Sequence, residues 1–513
     1  MTDKRYNYVP WIIFAAFLLF YIFVPNYNLI YDSYSYSISI RNGTDFFHPH
    51  HLLYNFFGYL IYKLFGFTGW GSMKTLSLVD AVLGAFTLLI IYRLIFMMAG
   101  RFNAIFGTIL VGVTYSFRYF ATSVEVNMTA LLCMMLALYY LFYSDYKGYS
   151  RWLVYVFLAL GTLFHQVVVL AIPPIFIYDI YRHRSFKRAF IYALPGLAGG
   201  IVVYLVVGLG QAGEKTIGGF YRWLTYYSHL NTWGKLGNDS ITNAAWGKIK
   251  TLFGGEIIRE MFYSGRWSFS SMLYLIIIGL IFVALVWMFF IALRNLWRSR
   301  DSSQLLILAL ALIFGLFTFW WAPANDDFWV YPVVFFMIFI ARGICSYLAR
   351  WLLLNATILL AAINFTYEFI PSANKSDSLF YQGAEVFERL RLTGNDLVIT
   401  NYSQIRLAYE YYSGIHVPTV CMMFLPAGPK AETIKEYQQR IDEALRRGRV
   451  YMFSDELYPE MYRRYLFTRF SPEEYQQAYA PYINHLTTAD SLDVHGQIVN
   501  IYRLSADIIE QSQ

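Results

Sequence analysis

Acidic and imidazole side chains gather between residues 30 and 58, directly after an apolar run long enough to cross a bilayer. The segment contains two carboxylates and three histidines, which are Asp32, Asp45, His48, His50 and His51. A carboxylate can act as a general base, and an imidazole can hydrogen-bond a phosphate or bind a metal ion. Because ionisable groups at a membrane surface are costly to desolvate, the cluster indicates a functional site. The alternative is an interfacial loop whose polar groups face water.

The composition is that of a polytopic membrane protein. The chain has 513 residues, of which 58% are hydrophobic, 20% aromatic and only 14% charged, and its mean hydropathy is +0.42. A soluble domain has about 25% charged residues. The net charge of +7 is explained by basic loops at a membrane, and no nucleic-acid motif is present. The three cysteines lie far apart and form neither a disulfide framework nor a metal-binding spacing.

Apolar runs predict about eleven transmembrane helices. Residues 52–66 are apolar but short and contain Lys63, so we expect a helix that lies at the membrane surface. Residues 152–181 are too long for one helix and predict a pair that turns at residues 164–166. The predicted spans are 9–28, 75–98, 103–121, 126–143, the pair within 152–181, 189–210, 272–294, 304–321, 328–345 and 351–370.

Basic residues of the short loops fall on one side of these spans. Under the positive-inside rule this places the N-terminus inside and the C-terminus outside. Three segments then lie outside: residues 29–74, residues 211–271 and the tail after residue 371. The basic residues are Lys4, Arg5, Arg93, Arg101, Lys147, Arg151, Arg182, Arg184, Lys187, Arg188, Arg294, Arg298, Arg300, Arg342 and Arg350.

The tail differs in character from the rest of the chain, because its charges are dense and its apolar runs are short. Its patterns predict helices at 381–392, 403–413 and 432–447 and strands at 397–400, 417–422 and 450–453. Alternating helices and strands are typical of a small α/β domain. We therefore expect a transmembrane domain over residues 1–371 and a soluble extracytoplasmic α/β domain over residues 372–513.

A resemblance to a known family rests on the order of motifs in the first 180 residues. An acid follows the first helix, then come a Gly-Thr-Asp, a Pro-containing stretch that leads to a Tyr, a Lys-Leu-Phe-Gly and a basic residue. In this chain they are Asp32, Gly43-Thr44-Asp45, His48-Pro49-His50-His51-Leu52-Leu53-Tyr54, Lys63-Leu64-Phe65-Gly66 and Lys74. The pattern resembles the start of the membrane-embedded GT-C glycosyltransferases, which include protein mannosyltransferases and lipid A aminoarabinose transferases.

Two departures from the family pattern leave the donor sugar and the acceptor open. Ser33 stands where a second acid often adjoins the first, and His-Pro-His-His replaces a Lys-Pro or His-Pro-Pro. The resemblance implies a GT-C-like helical fold and an enzyme that moves a sugar from a polyprenyl-phosphate donor to an acceptor hydroxyl. It further implies an integral membrane protein, which we expect in a bacterial inner membrane, with its active site and tail on the periplasmic side. The acceptor would be a lipid, a glycan or a protein.

The resemblance implies Asp32 as the catalytic base, with inversion at the anomeric carbon. The leaving phosphate needs fixed cations and hydrogen-bond donors, and Lys74, His165, Arg222 and Arg266 could supply them. Asp45 could instead serve a turn, since Gly-x-Asp segments often do. The substrate-binding candidates are Asp45, His48, His50, His51, Tyr54, Lys74, Glu125, His165, Arg222 and Arg266.

A divalent metal would be a cofactor if Asp32 or Asp45 joined His48 and His50, although a His-x-His pair alone is a weak signal. Otherwise these rings would bind the substrate or its phosphate. Two other functions fit the composition. A surface-polysaccharide polymerase or ligase would depend more on arginines of the outer loops, whereas a transporter would place ionisable residues mid-bilayer and show internal repeats.

Overall fold

The computed structural model describes residues 8–143, 148–211, 215–226, 234, 236–255, 258, 268–400, 404–421, 430–454, 471–494, 497–505 and 507. Two compact units make up the chain. Unit 1 comprises Met1–Asn26 and Ser39–Pro371, and unit 2 comprises Tyr27–Ile38 and Ser372–Gln513. The short segment after the first helix, which contains Asp32, therefore groups with the tail.

Helices form most of the described part of unit 1, which contains no strand of the sheet. Its helices are α1 (Val9–Phe23), α2 (Tyr31–Asn42, whose first residues belong to unit 2), α3 (Tyr54–Leu64), α4 (Ser72–Ala99), α5 (Arg101–Gly112), α6 (Tyr115–Thr122), α7 (Asn127–Tyr143), α8 (Gly148–Phe164), α9 (Ile172–His183), α10 (Phe186–Gln211), α11 (Ile217–Leu224), α12 (Ser240–Phe253), α13 (Phe269–Ser299), α14 (Ser302–Trp321), α15 (Asp326–Gly343) and α16 (Tyr347–Asn364). A π-helical turn, Phe365–Phe369, continues α16 toward Ser372.

Five helices of the described chain are long and apolar enough to cross a membrane: α4, α10, α13, α14 and α16 with its continuation. A sixth span results if α5 and α6 are counted together, because they pass the same test as a pair bent by 67°. The sequence predicts one span here, and the bend falls at residues 113–114. The helices α1 and α7 are apolar but shorter, so the eleven predicted crossings stay a prediction.

Small residues allow the helices of unit 1 to approach closely. A Cβ added to Gly84 of α4 would lie 2.7 Å from the Cβ of Ala121 on α6. One added to Gly107 of α5 would lie 2.6 Å from the Cβ of Ala341 on α15. Larger side chains would push these pairs apart, as is usual where helices pack inside membranes.

The break predicted within residues 152–181 is present. The helix α8 ends at Phe164, His165 is extended, and a 3₁₀ turn (Gln166–Ala171) leads into α9. Pro173 and Pro174 lie in the first turn of α9, where their missing N–H groups cost no helical hydrogen bond. By contrast, α3 has only 11 residues, which is too few to span a bilayer.

Unit 2 contains a five-stranded mixed sheet in the order β2-β1-β3-β5-β4. The strand β1 runs parallel to β2 and β3, whereas β5 is antiparallel to β3 and β4. The strands are β1 (Leu397–Ile399), β2 (Thr419–Val420), β3 (Val450–Phe453), β4 (Leu486–Val494) and β5 (Gln497–Leu504). The helices of the tail are α17 (Leu379–Arg389), α18 (Gln404–Ser413), α19 (Lys430–Arg447) and α20 (Pro472–Tyr479).

The apolar stripe of α19 covers this sheet. Tyr437 and Ile441 of α19 are fully buried together with Val450 and Met452 of β3. The segment from residue 27 to residue 38 also packs within unit 2, since the ring of Tyr34 contacts those of Phe380 and Tyr411.

Candidate functional site

Residues 48–51, the histidine loop, form a compact turn in unit 1. The His51 N–H donates to the His48 carbonyl oxygen at 3.2 Å, and the two imidazole rings stack with centroids 4.4 Å apart. The His50 backbone N–H points to His48 Nδ1 at 3.4 Å. The three rings that the sequence singles out are therefore held together by the local backbone.

The histidine loop is anchored on the distant break between α8 and α9. The Gln166 N–H donates to the His50 carbonyl oxygen at 2.8 Å. From α10, the Tyr204 hydroxyl lies 3.1 Å from the carbonyl oxygens of both Pro49 and Thr162. These bonds bring His165 to the histidine loop, so four of the predicted site residues belong to one cluster.

A hydrogen-bonded chain fixes the His165 ring. The Tyr331 hydroxyl on α15 donates to Asn127 Oδ1 at 2.9 Å, and it lies 2.9 Å from His165 Nδ1. A hydroxyl has only one proton to donate. Because the Tyr331 proton is donated to Asn127, the proton between Tyr331 and His165 must come from His165 Nδ1. In the neutral imidazole Nε2 then carries no proton and can accept a hydrogen bond. All three side chains are buried.

A second buried group joins Tyr54 to two carboxylates. The Tyr54 hydroxyl donates to Asp80 Oδ2 at 3.3 Å, and the same oxygen lies 3.4 Å from the Glu125 backbone N–H. Asp80 and Glu125 are each only 2% exposed. Glu125 lies two residues before Asn127, the first residue of α7, so this group continues into the chain that holds His165. We call Tyr54, Asp80, Glu125, Asn127, Tyr331 and His165 the polar network.

Sequence reasoning identified Tyr54, Glu125 and His165 but missed three members of the polar network. Asp80 lies within a long apolar helix, and a lone carboxylate in such a helix is itself a functional signal. Asn127 and Tyr331 have no comparable signal, because a Tyr or Asn at a helix end is common. Their role follows only from the hydrogen bonds of the Tyr331 hydroxyl, which contacts both His165 and Asn127.

Burial keeps the site imidazoles neutral at neutral pH. It lowers the pKa of His48 to about 4, although the Asp45 carboxylate opposes the shift. It lowers the pKa of His50 and of His165 to about 3, and repulsion by His48 and His165 adds to the effect at His50. The pKa of His51 is also well below its ordinary value for the same reasons. These rings therefore act as neutral donors and acceptors unless an anion is bound.

Asp32 lies in the first turn of α2, within the part of that helix that belongs to unit 2. Its side chain keeps some solvent exposure, yet the surrounding protein removes enough water to raise the pKa of the carboxyl to about 6. A carboxyl with that pKa is ionised at neutral pH and remains a better base than an ordinary aspartate.

Asp45 occupies a tight turn with a left-handed backbone, φ 48°. Its carbonyl oxygen accepts from Asn55 Nδ2 at 2.8 Å, and its Oδ2 lies 3.4 Å from the Ser39 hydroxyl. The preceding Gly43 also has positive φ, which glycine adopts without strain. Its contacts are those of a turn residue, and its predicted part in substrate binding stays a prediction.

The predicted phosphate-binding cations lie in separate places. Lys74 is exposed in the first turn of α4, with Nζ 4.7 Å from the centre of the Trp70 ring. Arg222 is exposed in the last turn of α11. Arg266 lies outside the described residues.

The predicted metal site has no complete ligand set in the described part of the chain. Within those residues, no three His, Cys, Asp or Glu side chains come together as a metal-ion group. His48 and His50 are close, with ring centres 5.7 Å apart, so they could offer two ligands.

A buried arginine that the sequence did not reveal closes the end of α1. Arg118 of α6 is fully buried, and its Nη2 donates to the carbonyl oxygens of Val24 and Pro25 at 2.8 and 2.7 Å. The Glu368 carboxylate stabilises the guanidinium charge and accepts from the Gly255 N–H at 3.2 Å. These contacts secure the point where the chain leaves α1.

Comparisons with known proteins agree with this architecture. Residues 48–208 match the family model of dolichyl-phosphate-mannose-protein mannosyltransferases. ArnT from Cupriavidus metallidurans bound to undecaprenyl phosphate is similar in structure, with a TM-score of 0.58 and 11% identity over 98% of this chain and 99% of that chain. This chain has the GT-C fold. The GT-C resemblance read from the first 180 residues is thereby confirmed, and it extends over nearly the whole chain.

Another solved structure with a similar fold is that of the oligosaccharyltransferase AglB from Archaeoglobus fulgidus in complex with an inhibitory peptide and a dolichol-phosphate. Its TM-score is 0.53, with 12% identity over 97% of this chain and 74% of that chain. No curated protein matches the sequence. The family match begins at the histidine loop and ends in α10, so it includes every member of the polar network except Tyr331.

Proposed function

We propose that this protein is an inverting glycosyltransferase that moves a sugar from a polyprenyl-phosphate donor to an acceptor hydroxyl at the outer face of the membrane. The observation that carries the proposal is Asp32, an acid placed just after the first helix with its pKa raised to about 6. The GT-C fold supports it, because ArnT and AglB were solved with undecaprenyl phosphate and dolichol-phosphate respectively.

The proposed reaction is a single displacement. The acceptor oxygen attacks the anomeric carbon while Asp32 takes its proton, and the bond from that carbon to the phosphate oxygen breaks. The electron pair leaves with the polyprenyl phosphate, which gains a negative charge. No enzyme nucleophile is used, so the configuration at the anomeric carbon inverts.

The developing phosphate charge needs cations or fixed hydrogen-bond donors. We assign this role to Lys74, with Arg222 and Arg266 as further candidates. The neutral imidazoles of the histidine loop supply hydrogen bonds, and an approaching phosphate favours their protonation because opposite charges attract. Glu125 and Tyr54 of the polar network are assigned to the sugar, whose hydroxyls need paired donors and acceptors.

We further propose about eleven crossings, with the N-terminus in the cytoplasm and the tail outside. Cys345 is an exposed native cysteine near the basic helix ends, whereas Cys133 and Cys421 are buried. In intact cells Cys345 should not react with an impermeant thiol reagent, and a cysteine introduced at Ser376 should. Labelling of Cys345 without labelling at residue 376 would show that the topology is the reverse of the one proposed.

Asp32→Asn tests the catalytic assignment, because the amide keeps the shape of the side chain but cannot take a proton. Transfer of radiolabelled sugar from a polyprenyl-phosphate donor should fall about 100-fold or more. Asp377→Asn is a matched control, since Asp377 also belongs to unit 2 and is exposed. Turnover of Asp32→Asn near that of the control would refute Asp32 as the base.

A further inference from the structure

A lysine and three tyrosines of unit 2 form a cluster outside the polar network and the histidine loop. The Lys375 Nζ lies 3.8 Å from the centre of the Tyr381 ring and 4.9 Å from that of the Tyr412 ring. Those two rings meet edge to face with centres 5.4 Å apart, and the Tyr411 ring packs against that of Tyr412 at 5.3 Å. We call Lys375, Tyr381, Tyr411 and Tyr412 the tyrosine cage.

The tyrosine cage packs against the segment that contains Asp32. Tyr34, two residues after Asp32 in α2, is buried, and its ring lies 6.4 Å from that of Tyr411. A hydrogen bond also joins the hydroxyls of Tyr34 and Tyr412. Because a helix rises 1.5 Å per residue, Asp32 and Tyr34 are only about 3 Å apart along the axis of α2. The tyrosine cage and the candidate base therefore belong to the same compact unit.

Tyr412 forms the open side of the tyrosine cage. Its side chain is 43% exposed, whereas Tyr381 and Lys375 are half-buried. A tyrosine offers a flat apolar ring and a polar hydroxyl, so it can stack on the C–H face of a sugar and hydrogen-bond the sugar's hydroxyl groups. The contacts with Tyr34 and Tyr381 hold the Tyr412 ring in place for such a ligand.

Lys375 adds a positive charge to this surface. Among the described residues, none forms an ion pair with its ammonium group. A lysine that only anchors a chain at a bilayer extends its ammonium group toward the headgroups, whereas that of Lys375 lies back over the Tyr381 ring. Since an aromatic ring attracts a cation without neutralising it, the charge can still bind an anionic group.

We propose that the tyrosine cage binds a sugar unit that carries a carboxylate or a phosphate, with the C–H face of the sugar on Tyr412 and its anionic group on Lys375. That this sugar belongs to the acceptor rests on the proposed function. The unit on the tyrosine cage and the hydroxyl that Asp32 deprotonates contact different side chains of unit 2, so the acceptor is a chain of sugar units. Of the acceptor classes that the family pattern leaves open, the tyrosine cage favours a glycan.

Five variants of the full chain separate the stacking contact from the charge contact. Tyr412→Ala removes the exposed ring, Tyr412→Phe keeps the ring without its hydroxyl, and Lys375→Gln removes the charge. As controls, Lys435→Gln and Ile498→Ala change an exposed lysine and an exposed apolar side chain of unit 2 outside the tyrosine cage. Thermal unfolding of each variant in detergent checks that it remains folded.

Ligand-observed NMR titrations without donor compare a hyaluronan tetrasaccharide, which carries carboxylates, with a neutral chitin tetrasaccharide. The natural protein should bind the acidic tetrasaccharide about 3- to 10-fold more tightly. Lys375→Gln should lose this preference and keep the affinity for the neutral tetrasaccharide, whereas Tyr412→Ala should weaken the binding of both by about 3- to 10-fold. Tyr412→Phe and the two controls should bind like the natural protein.

Equal binding of the two tetrasaccharides by the natural protein would overturn the proposal, as would equal losses in Lys375→Gln and Lys435→Gln. Tyr412→Ala that binds both sugars as well as Ile498→Ala does would also overturn it. Because no transfer takes place in these titrations, their failure would leave the assignment of Asp32 standing. Full turnover of Asp32→Asn would conversely refute that assignment and leave the sugar site standing.

Two competitors test the other possible occupants: inorganic phosphate, and glycerophosphoglycerol, which is the soluble headgroup of phosphatidylglycerol. Neither should displace the acidic tetrasaccharide when present at an equal concentration. If inorganic phosphate does, the tyrosine cage binds a free anion, and if only glycerophosphoglycerol does, it binds a lipid headgroup. In both cases the sugar assignment is wrong.

Discussion

Arg118 and Val24 lie 94 residues apart in sequence, yet a hydrogen bond of 2.8 Å joins the guanidinium of one to the carbonyl oxygen of the other. Carbonyl groups have no helical hydrogen-bond partner where the chain leaves a helix, and the carbonyl oxygens of Val24 and Pro25, directly after α1, accept from this side chain instead. The Phe369 ring also lies under the guanidinium, 5.1 Å away. Arg118 therefore fixes the exit of α1, and Asp32 follows eight residues after Val24 in the sequence.

Arg118→Met should lower the free energy of unfolding by about 3–5 kcal/mol, because it removes the buried positive charge that interacts with Glu368 and the donor of the Val24 and Pro25 carbonyl oxygens. Denaturant unfolding in detergent measures the change. Arg294→Met is the control, since Arg294 is exposed on α13 and should change stability by only about 0.5 kcal/mol. Adding Glu368→Gln to Arg118→Met should cost less than the sum of the two single changes. Additive costs would show that Glu368 is not the partner.

The raised pKa of Asp32 predicts the pH dependence of transfer. The base must be a carboxylate, so the rate should be constant above pH 7 and fall as the pH drops through about 6. At pH 5 about one tenth of the carboxyl would be ionised, which gives a roughly tenfold lower rate. Initial rates at saturating donor between pH 4.5 and pH 8 measure this profile. A step near pH 4 would mean that Asp32 is not the titrating base.

The stability of the protein should also depend on the Asp32 carboxyl. Acid should raise the stability, whereas it lowers the transfer rate. The folded pKa of about 6 lies above the ordinary value of 3.8, so the folded state favours the protonated form. The stability due to that form is complete below pH 3.8 and is lost as the pH rises through 6. Asp32→Asn should therefore be more stable than the natural protein at pH 7 but similar to it at pH 3.5. A destabilised variant at pH 7 would instead indicate a structural role.

Hydropathy and local pattern account for much of the fold. The strand β3 has the predicted bounds, residues 450–453, because its four residues are β-branched, aromatic or apolar. The sequence did not predict β4 and β5. Residues 486–494 carry polar side chains on both faces, and β4 is an edge strand with a partner on one side only, so no clean alternation marks it.

The candidate site was only partly predictable for a related reason. The histidines of the loop are adjacent in sequence and were recognised, but their contact with His165 depends on how α8 and α10 pack. The bend of α5 against α6 likewise has no strong local signal, since Val113 and Thr114 are ordinary membrane residues. Arg118 was missed because its partners are backbone carbonyl groups, which any sequence offers.

Tyr331→Phe tests the polar network. The change leaves Asn127 Oδ1 and His165 Nδ1 without the hydroxyl that joins them, and burying such groups costs about 1–3 kcal/mol. Both the free energy of unfolding and the transfer rate should fall, because the His165 tautomer is no longer fixed. Tyr347→Phe is the control, as Tyr347 is 76% exposed and should change neither quantity. If Tyr331→Phe is less stable but has an unchanged transfer rate, the polar network has only a structural role.

Lys74→Ala tests the phosphate assignment against a lysine in a similar setting. Lys63 is also exposed, and its Nζ lies 5.2 Å from the centre of the Tyr59 ring, much as Lys74 Nζ lies 4.7 Å from that of Trp70. Both lysines can extend to lipid headgroups. Each alanine variant loses one positive charge at the surface, so this general effect is the same in both and does not explain a difference between them.

A charge-assisted contact to the donor phosphate contributes about 1.5–3 kcal/mol, which corresponds to roughly 10- to 150-fold in affinity. Lys74→Ala should weaken donor binding by that factor, and Lys63→Ala should leave it unchanged. Donor titrations of both variants, with Arg222→Ala and Arg266→Ala beside them, measure the effect. Equal affinity in Lys74→Ala and Lys63→Ala would show that Lys74 does not bind the phosphate. Weak donor binding by Arg222→Ala or Arg266→Ala would then assign the phosphate contact to that arginine. If both arginine variants bind donor normally, the contact is assigned to the histidine loop.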